Sequence, residues 1–94
     1  HEVKAKARTQ PGGLVGEILA RGEAELAVQQ IPELLAVPGL DFVGPLPPEI
    51  QITSVVSAAI FSRAAQPEAA RALLEFLSTP AAARAFQASG LDPL

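Results

Sequence analysis

A chain of 94 residues that is 49% hydrophobic and 18% charged has the composition of a folded domain, and it is short enough for its core to be marginal. A net charge of −3, no basic cluster beyond Lys4, Lys6 and Arg8, and 4% aromatic residues give neither a footprint for phosphate backbones nor a base-stacking platform, so nucleic-acid binding is set aside. No apolar run approaches the roughly 20 residues that span a bilayer, which argues against membrane insertion, and the absence of cysteine excludes disulfides and thiolate metal sites.

Val3, Ala5 and Ala7 alternate with Lys4, Lys6 and Arg8, and this period of two predicts a strand over residues 2–8 with one solvated, basic face. The same charges also suit an anion-binding stripe, although protecting a sheet edge is the commoner use. Pro11-Gly12-Gly13 breaks the strand. Leu14, Val15, Ile18 and Leu19 then recur at helical spacing, which predicts a helix over 13–21 with Gly22 as its left-handed C-terminal cap. Residues 24–29 read as a buried strand, Pro32 to Leu35 as a helical turn, Pro38-Gly39 as a turn and residues 40–43 as a short strand. Gly44-Pro45-Leu46-Pro47-Pro48 is a connector, too rich in proline for helix or central strand. Ile50 to Ser62, dominated by β-branched and small residues, reads as one extended ribbon with a bend, its early part paired with the region of residues 24–28. Pro67 starts a helix with Ala70, Leu73, Phe76 and Leu77 on its buried face and an Arg71–Glu75 pair outside. Thr79-Pro80 opens a second helix, which runs to about Ala88 and stops at Gly90.

Catalytic signatures are missing from this pattern. The one histidine, His1, stands at the chain's end, so no base is in reach of a serine or threonine for triad chemistry. Glu17, Glu23, Glu25, Glu33, Asp41 and Glu49 are scattered over separate elements, so neither a metal site, a cofactor nor a carboxylate pair of the acid–base kind is expected. Gly12-Gly13 ahead of a helix is a weak anion motif that an ordinary turn explains equally well. What remains is a set of neutral hydrogen-bonding residues at element ends: Gln29 and Gln30 at the passage from strand to helical turn, and Thr53, Ser54 and Ser57 on the ribbon. The glutamines also suit capping of the turn that follows them.

The passage from Gly22 to Pro47, GEAELAVQQIPELLAVPGLDFVGPLP, followed by PEAARALLEFLSTP at residues 67–80 and Gly90-Leu91-Asp92-Pro93, resembles the second half of the molybdate-binding-like branch of the periplasmic solute-binding proteins of ABC importers. The resemblance covers most of the chain and lies in the order of several phrases. It implies an α/β fold, a partial type II periplasmic-binding-protein fold, in which residues 1–49 belong to the second lobe, 50–62 cross between lobes and 63–94 supply the closing helices of the first lobe. Because that family is built on longer two-lobed chains, the sequence is expected to be a C-terminal fragment. The polar opening HEVKAKARTQ then places any export signal upstream.

The function implied is capture of a small solute or an oxyanion such as molybdate in an interlobe cleft, delivery to an ABC permease, and a periplasmic or cell-surface location. In the family, groups at the strand-to-helix elbow and on the returning ribbon line the cleft, which implies Gln29, Gln30, Thr53, Ser54 and Ser57 as ligand contacts. Neutral donors can hold an anion without a cationic side chain. One departure is plain, since well-known molybdate binders carry a tyrosine on the returning segment and this chain has none. On this reading the protein is not an enzyme. Two alternatives are a sensory or regulatory domain that uses the same fold to bind an effector, and a small self-associating interaction module. The fragment is expected to self-associate, because Leu73, Phe76, Leu77 and Phe86 lack the partners that a complete lobe would supply.

Overall fold

The computed structural model describes residues 2–93, whose regular elements are the helices α1 (Glu2–Lys6), α2 (Val15–Ala20), α3 (Ile31–Leu35), α4 (Pro67–Leu77) and α5 (Pro80–Ala88). They fall into two units, the first running to Phe42 and the second starting at Val43. No described residue lies in a β-ladder. The strands expected over 2–8, 24–29 and 40–43, and the ladder pairing expected of the ribbon, are therefore not found among the described residues.

In the first unit, the segment expected as an edge strand is the helix α1, with no buried residue. The physical reason is local. A strand needs a neighbour to satisfy its N–H and C=O groups, whereas Glu, Lys and Ala are good helix formers and a helix satisfies its backbone within itself. Alternating alanine and lysine over so few residues fits either state, and without a paired strand the helical one wins.

Helix α2 ends as the sequence predicts. Gly22, at φ 77°, donates its N–H to the Leu19 carbonyl at 2.9 Å, and Glu23 donates to the Ile18 carbonyl at 3.1 Å. This is the paired Schellman arrangement, and it requires the left-handed conformation that glycine adopts without a Cβ penalty. On the inner side of α2, Gly16 is buried against the turn that follows α3. A Cβ at Gly16 would stand 2.7 Å from Leu40 Cδ1 and 3.1 Å from Val37 Cγ2. Val37 is the one large side chain buried among the described residues of this unit. In α3, Pro32 sits in the first turn, where its missing N–H costs nothing, and the Gln30 carbonyl accepts from Glu33 and Leu34 at 3.0 and 3.2 Å.

In the second unit, the connector is closed by Gln51. Its Oε1 accepts from the Leu46 N–H at 3.0 Å and its Nε2 donates to the Ile52 carbonyl at 3.1 Å. Residues 51–61 are neither helix nor strand, and their large apolar side chains other than the half-buried Ile60 stand open, with Ile52 85% and Val56 80% exposed. No residue of this run is helical.

Beyond it, α4 and α5 form a hairpin with a well-made corner. Thr79 Oγ1 donates to the Phe76 carbonyl at 2.7 Å and accepts from the Ala82 N–H at 3.3 Å, so one hydroxyl closes the end of α4 and caps the start of α5. Ala82, directly inside the cap, is buried. At the far end Gly90, at φ 90°, donates to Gln87 at 3.1 Å and Leu91 donates to Phe86 at 2.9 Å, a second Schellman ending. Leu73 and Phe76 of α4 remain 57% exposed. The Arg71–Glu75 ion pair is absent among the described residues, in keeping with the weaker of the two i,i+4 orientations.

Candidate functional site

Of the residues singled out in the sequence, Gln29 has the most definite environment. Its side-chain oxygen accepts from the N–H of Val15 at 3.0 Å, and its side-chain nitrogen donates to the carbonyl of Gly13 at 3.1 Å. Val15 is the first residue of α2, and the cap position before it is Leu14, which has no polar side chain to offer. Gln29 therefore supplies the N-terminal cap of the preceding helix from a distance in sequence, instead of capping the turn that follows it. It also occupies the N–H on which the weak Gly12-Gly13 anion motif depends.

Gln30 is exposed, and its side-chain amide has no hydrogen bond among the described residues. Its carbonyl is engaged at the start of α3, so the backbone at this elbow is fixed while the amide is not. Thr53, Ser54 and Ser57 are exposed on the irregular run of the second unit, with no side-chain hydrogen bond among the described residues. The glutamines and the hydroxyl residues thus belong to different units, and within them Gln30 and the three hydroxyl residues are available as neutral donors while Gln29 is engaged. Gln51 was not singled out from the sequence, since a glutamine beside a proline-rich connector looks the same whether it closes the turn or faces solvent.

The charged groups lie on the surface, and none is buried among the described residues. Arg21 Nε donates to Glu23 Oε1 at 2.6 Å. That hydrogen bond, assisted by the guanidinium's charge, holds the Glu23 carboxyl below the usual carboxylate range and raises Arg21 above its own. Glu23 is thus partnered by Arg21, not by Glu25. His1 lies outside the described residues. No three of the described His, Asp and Glu side chains stand close enough together to hold a metal ion, and no described helix is long and apolar enough to cross a membrane. Chemically, the arrangement offers uncharged N–H and O–H donors of the kind that bind carboxylates and other oxyanions.

Comparison with known proteins adds what no local motif carries. Over 90 residues, 96% of this chain, the sequence is 50% identical to a Pseudomonas protein named aconitate isomerase. The chain spans about a third of that relative's length, 34%. The finding corrects the expectation that catalysis can be set aside, because a protein half identical to this chain is named for a reaction. The expectation failed because it rested on searching these residues for triads, metal clusters and carboxylate pairs. No solved structure is significantly similar to the chain. The model of one family, the bacterial extracellular solute-binding proteins, matches residues 1–92, and nothing in that match singles out molybdate or an importer. The chain belongs to the bacterial extracellular solute-binding protein family.

Proposed function

We propose that this chain is the C-terminal part of an extracytoplasmic, two-lobed protein that holds a small polycarboxylate, aconitate, in an interlobe cleft and isomerises it there. The single observation that carries this reading is the 50% identity to a protein named aconitate isomerase over nearly the whole chain. Aconitate has three carboxylates around one carbon–carbon double bond. Isomerising it calls for a group that moves a proton and for donors that fix the carboxylates while it moves. The second task suits this chain, where Gln30 on the elbow and Thr53, Ser54 and Ser57 on the ribbon are neutral donors not engaged elsewhere among the described residues.

The same proposal takes the fold to be α/β in the complete protein, with residues 1–49 in the second lobe, 50–62 crossing over and 63–94 returning to the first. Irregular runs with exposed Leu26 and Val28 at 24–28, and exposed Ile and Val at 50–56, accord with strands whose neighbours in a sheet lie elsewhere in the chain. The periplasm or the cell surface is the location that accords with an extracellular family. Isolated from the rest, this chain should self-associate through Leu73 and Phe76, which sedimentation at rising concentration tests.

A second reading follows from the family's description as solute-binding: capture of the ligand, with hand-over to a permease and no turnover. One experiment separates the two. The full-length protein is incubated with one aconitate isomer, the mixture is followed by proton NMR, and binding of aconitate, molybdate and sulfate is measured by calorimetry. Conversion with saturable aconitate binding is the expected outcome. Tight aconitate binding without conversion would favour capture alone, and micromolar molybdate binding with none of aconitate would sink the polycarboxylate reading.

A further inference from the structure

We infer that Gln29 is a positioning residue that ties the loop before α2 to the elbow, and that Gln30 is the one of the pair whose amide is free to turn to a ligand. The part played by Gln30 rests on the function proposed above; the part played by Gln29 does not.

A primary amide has an acceptor end and a donor end, and both ends of Gln29 are engaged inside the first unit, with Val15 N–H at 3.0 Å and Gly13 C=O at 3.1 Å. Those two backbone groups lie two residues apart, one on the loop and one at the first residue of α2, so a single side chain grips this junction by a donor and an acceptor at once. Among the described residues neither group has another partner. The first N–H of a helix has none within the helix, and Leu14 supplies no cap. Gly13 sits in the left-handed region at φ 73°, in a stretch with no regular structure to take up its carbonyl.

The grip spans 14 and 16 residues of sequence, so it fixes the Pro11–Leu14 loop relative to residue 29 and hence to the start of α3 at Gln30. Gln29 is half-buried while Gln30 is exposed. A ligand that drew the Gln29 amide out of its present orientation would have to break both internal bonds and strand a helix N–H and a carbonyl. Drawing on Gln30 breaks none.

The test uses the full-length protein with isotope-labelled valine, glycine and glutamine. Amide exchange at Val15 should be at least tenfold faster in Gln29→Leu than in the unsubstituted protein and unchanged in Gln30→Ala; equal exchange in Gln29→Leu would overturn the inference. Gln29→Glu guards against a misfolded leucine variant. Its acid form keeps both bonds, and its carboxylate keeps the Val15 bond but loses the donor to Gly13. Val15 should then stay protected at all pH, while the Gly13 resonance moves as the new carboxyl ionises; a pH-independent Gly13 signal would count against the grip. Titration with aconitate should shift the side-chain NH2 signals of Gln30 and leave those of Gln29 in place. Movement of the Gln29 signals first would overturn the division of labour. If aconitate moves neither pair, the assignment of Gln30 as its contact is refuted, and the Val15 measurement still decides the grip.

Discussion

The α4–α5 hairpin and residues 51–61, both in the second unit, follow opposite rules. In the hairpin the corner and the far end are closed by neighbours in sequence: Thr79 joins the two helices with one hydroxyl, and Gly90 and Leu91 return their N–H groups to the last turn of α5. In the run before it, Ile52, Val55, Val56 and Phe61 are 62–85% exposed and no ladder bond is made. The difference is one of range. The helices and caps of this hairpin draw on residues within about five positions, so a short chain completes them, whereas a strand draws on a neighbour that can lie anywhere in the protein. Substitutions should therefore be costly where the structure closes on itself and nearly silent where it does not.

The largest effect is expected at Gly16. Valine there would put its Cβ 3.1 Å from Val37 Cγ2 and 3.3 Å from Val37 Cβ. Leu40 can swing away, being the flexible end of its side chain, but the β-branched Val37 is stiff and its Cβ moves only with the backbone. Overpacking of this kind costs about 1–3 kcal/mol, which exceeds the fraction of a kcal/mol that replacing glycine inside a helix returns. Urea unfolding should show a lowered midpoint for Gly16→Val; an unchanged midpoint would mean that α2 is not held against the turn after α3.

Next in size is Thr79→Ala, which removes both bonds of the corner hydroxyl and should cost about 0.5–2 kcal/mol. Thr79→Ser, which keeps the hydroxyl, should recover most of it. Thermal melts of the three proteins give the comparison, and equal loss in both variants would assign the effect to the methyl group.

These local closures were legible in the sequence, and the contrast explains why other features were not. Pro67, the Thr79-Pro80 pair, Gly22 and Gly90 each announce a helix end through chemistry confined to one turn, and each is found where it was expected. The alternation over residues 2–8 announced a strand, but the alternation is only a pattern of faces, and helix-forming Glu, Lys and Ala with no paired strand adopt α1 instead. Gln29 was legible as a polar residue at an element end; its role was not, because its partners are on a loop 14 and 16 residues away. The link to catalysis was hidden for a related reason. The residues here carry donors and no reaction signature, so the catalytic reading rests on likeness to a relative named aconitate isomerase and not on a motif.

A smaller effect, and a sharper test of the open region, is Ile52→Lys. At 85% exposure Ile52 has little to lose, and the change should lie within about 0.5 kcal/mol when the 94-residue chain is unfolded alone. A loss as large as that of Thr79→Ala would break the comparison, since it would show the run packed in solution. In the full-length protein the same lysine should cost more, if the run pairs there as proposed, and the difference between the two proteins measures how much cover the rest of the chain supplies.

The smallest effect belongs to Glu23. It lies just past α2, where its backbone N–H closes the helix end and its carboxylate receives the Arg21 hydrogen bond. Glu23→Gln keeps the first and removes the charge from the second, so it isolates the ion pair. The carboxyl is held below its ordinary value, chiefly by that hydrogen bond and then by the guanidinium's charge. A depressed carboxyl stabilises the folded chain above its unfolded pKa and loses that contribution as the pH falls through the folded one; Arg21, raised above its usual range, stays charged throughout. With the two side chains 57% and 45% exposed, solvent and salt screen the pair, so the effect on stability should be the weakest in this series. An NMR titration of the Glu23 carboxyl should give a midpoint below the ordinary carboxylate value that rises in Arg21→Ala and at high salt. A midpoint that moves in neither case would show that the pair is not populated in solution.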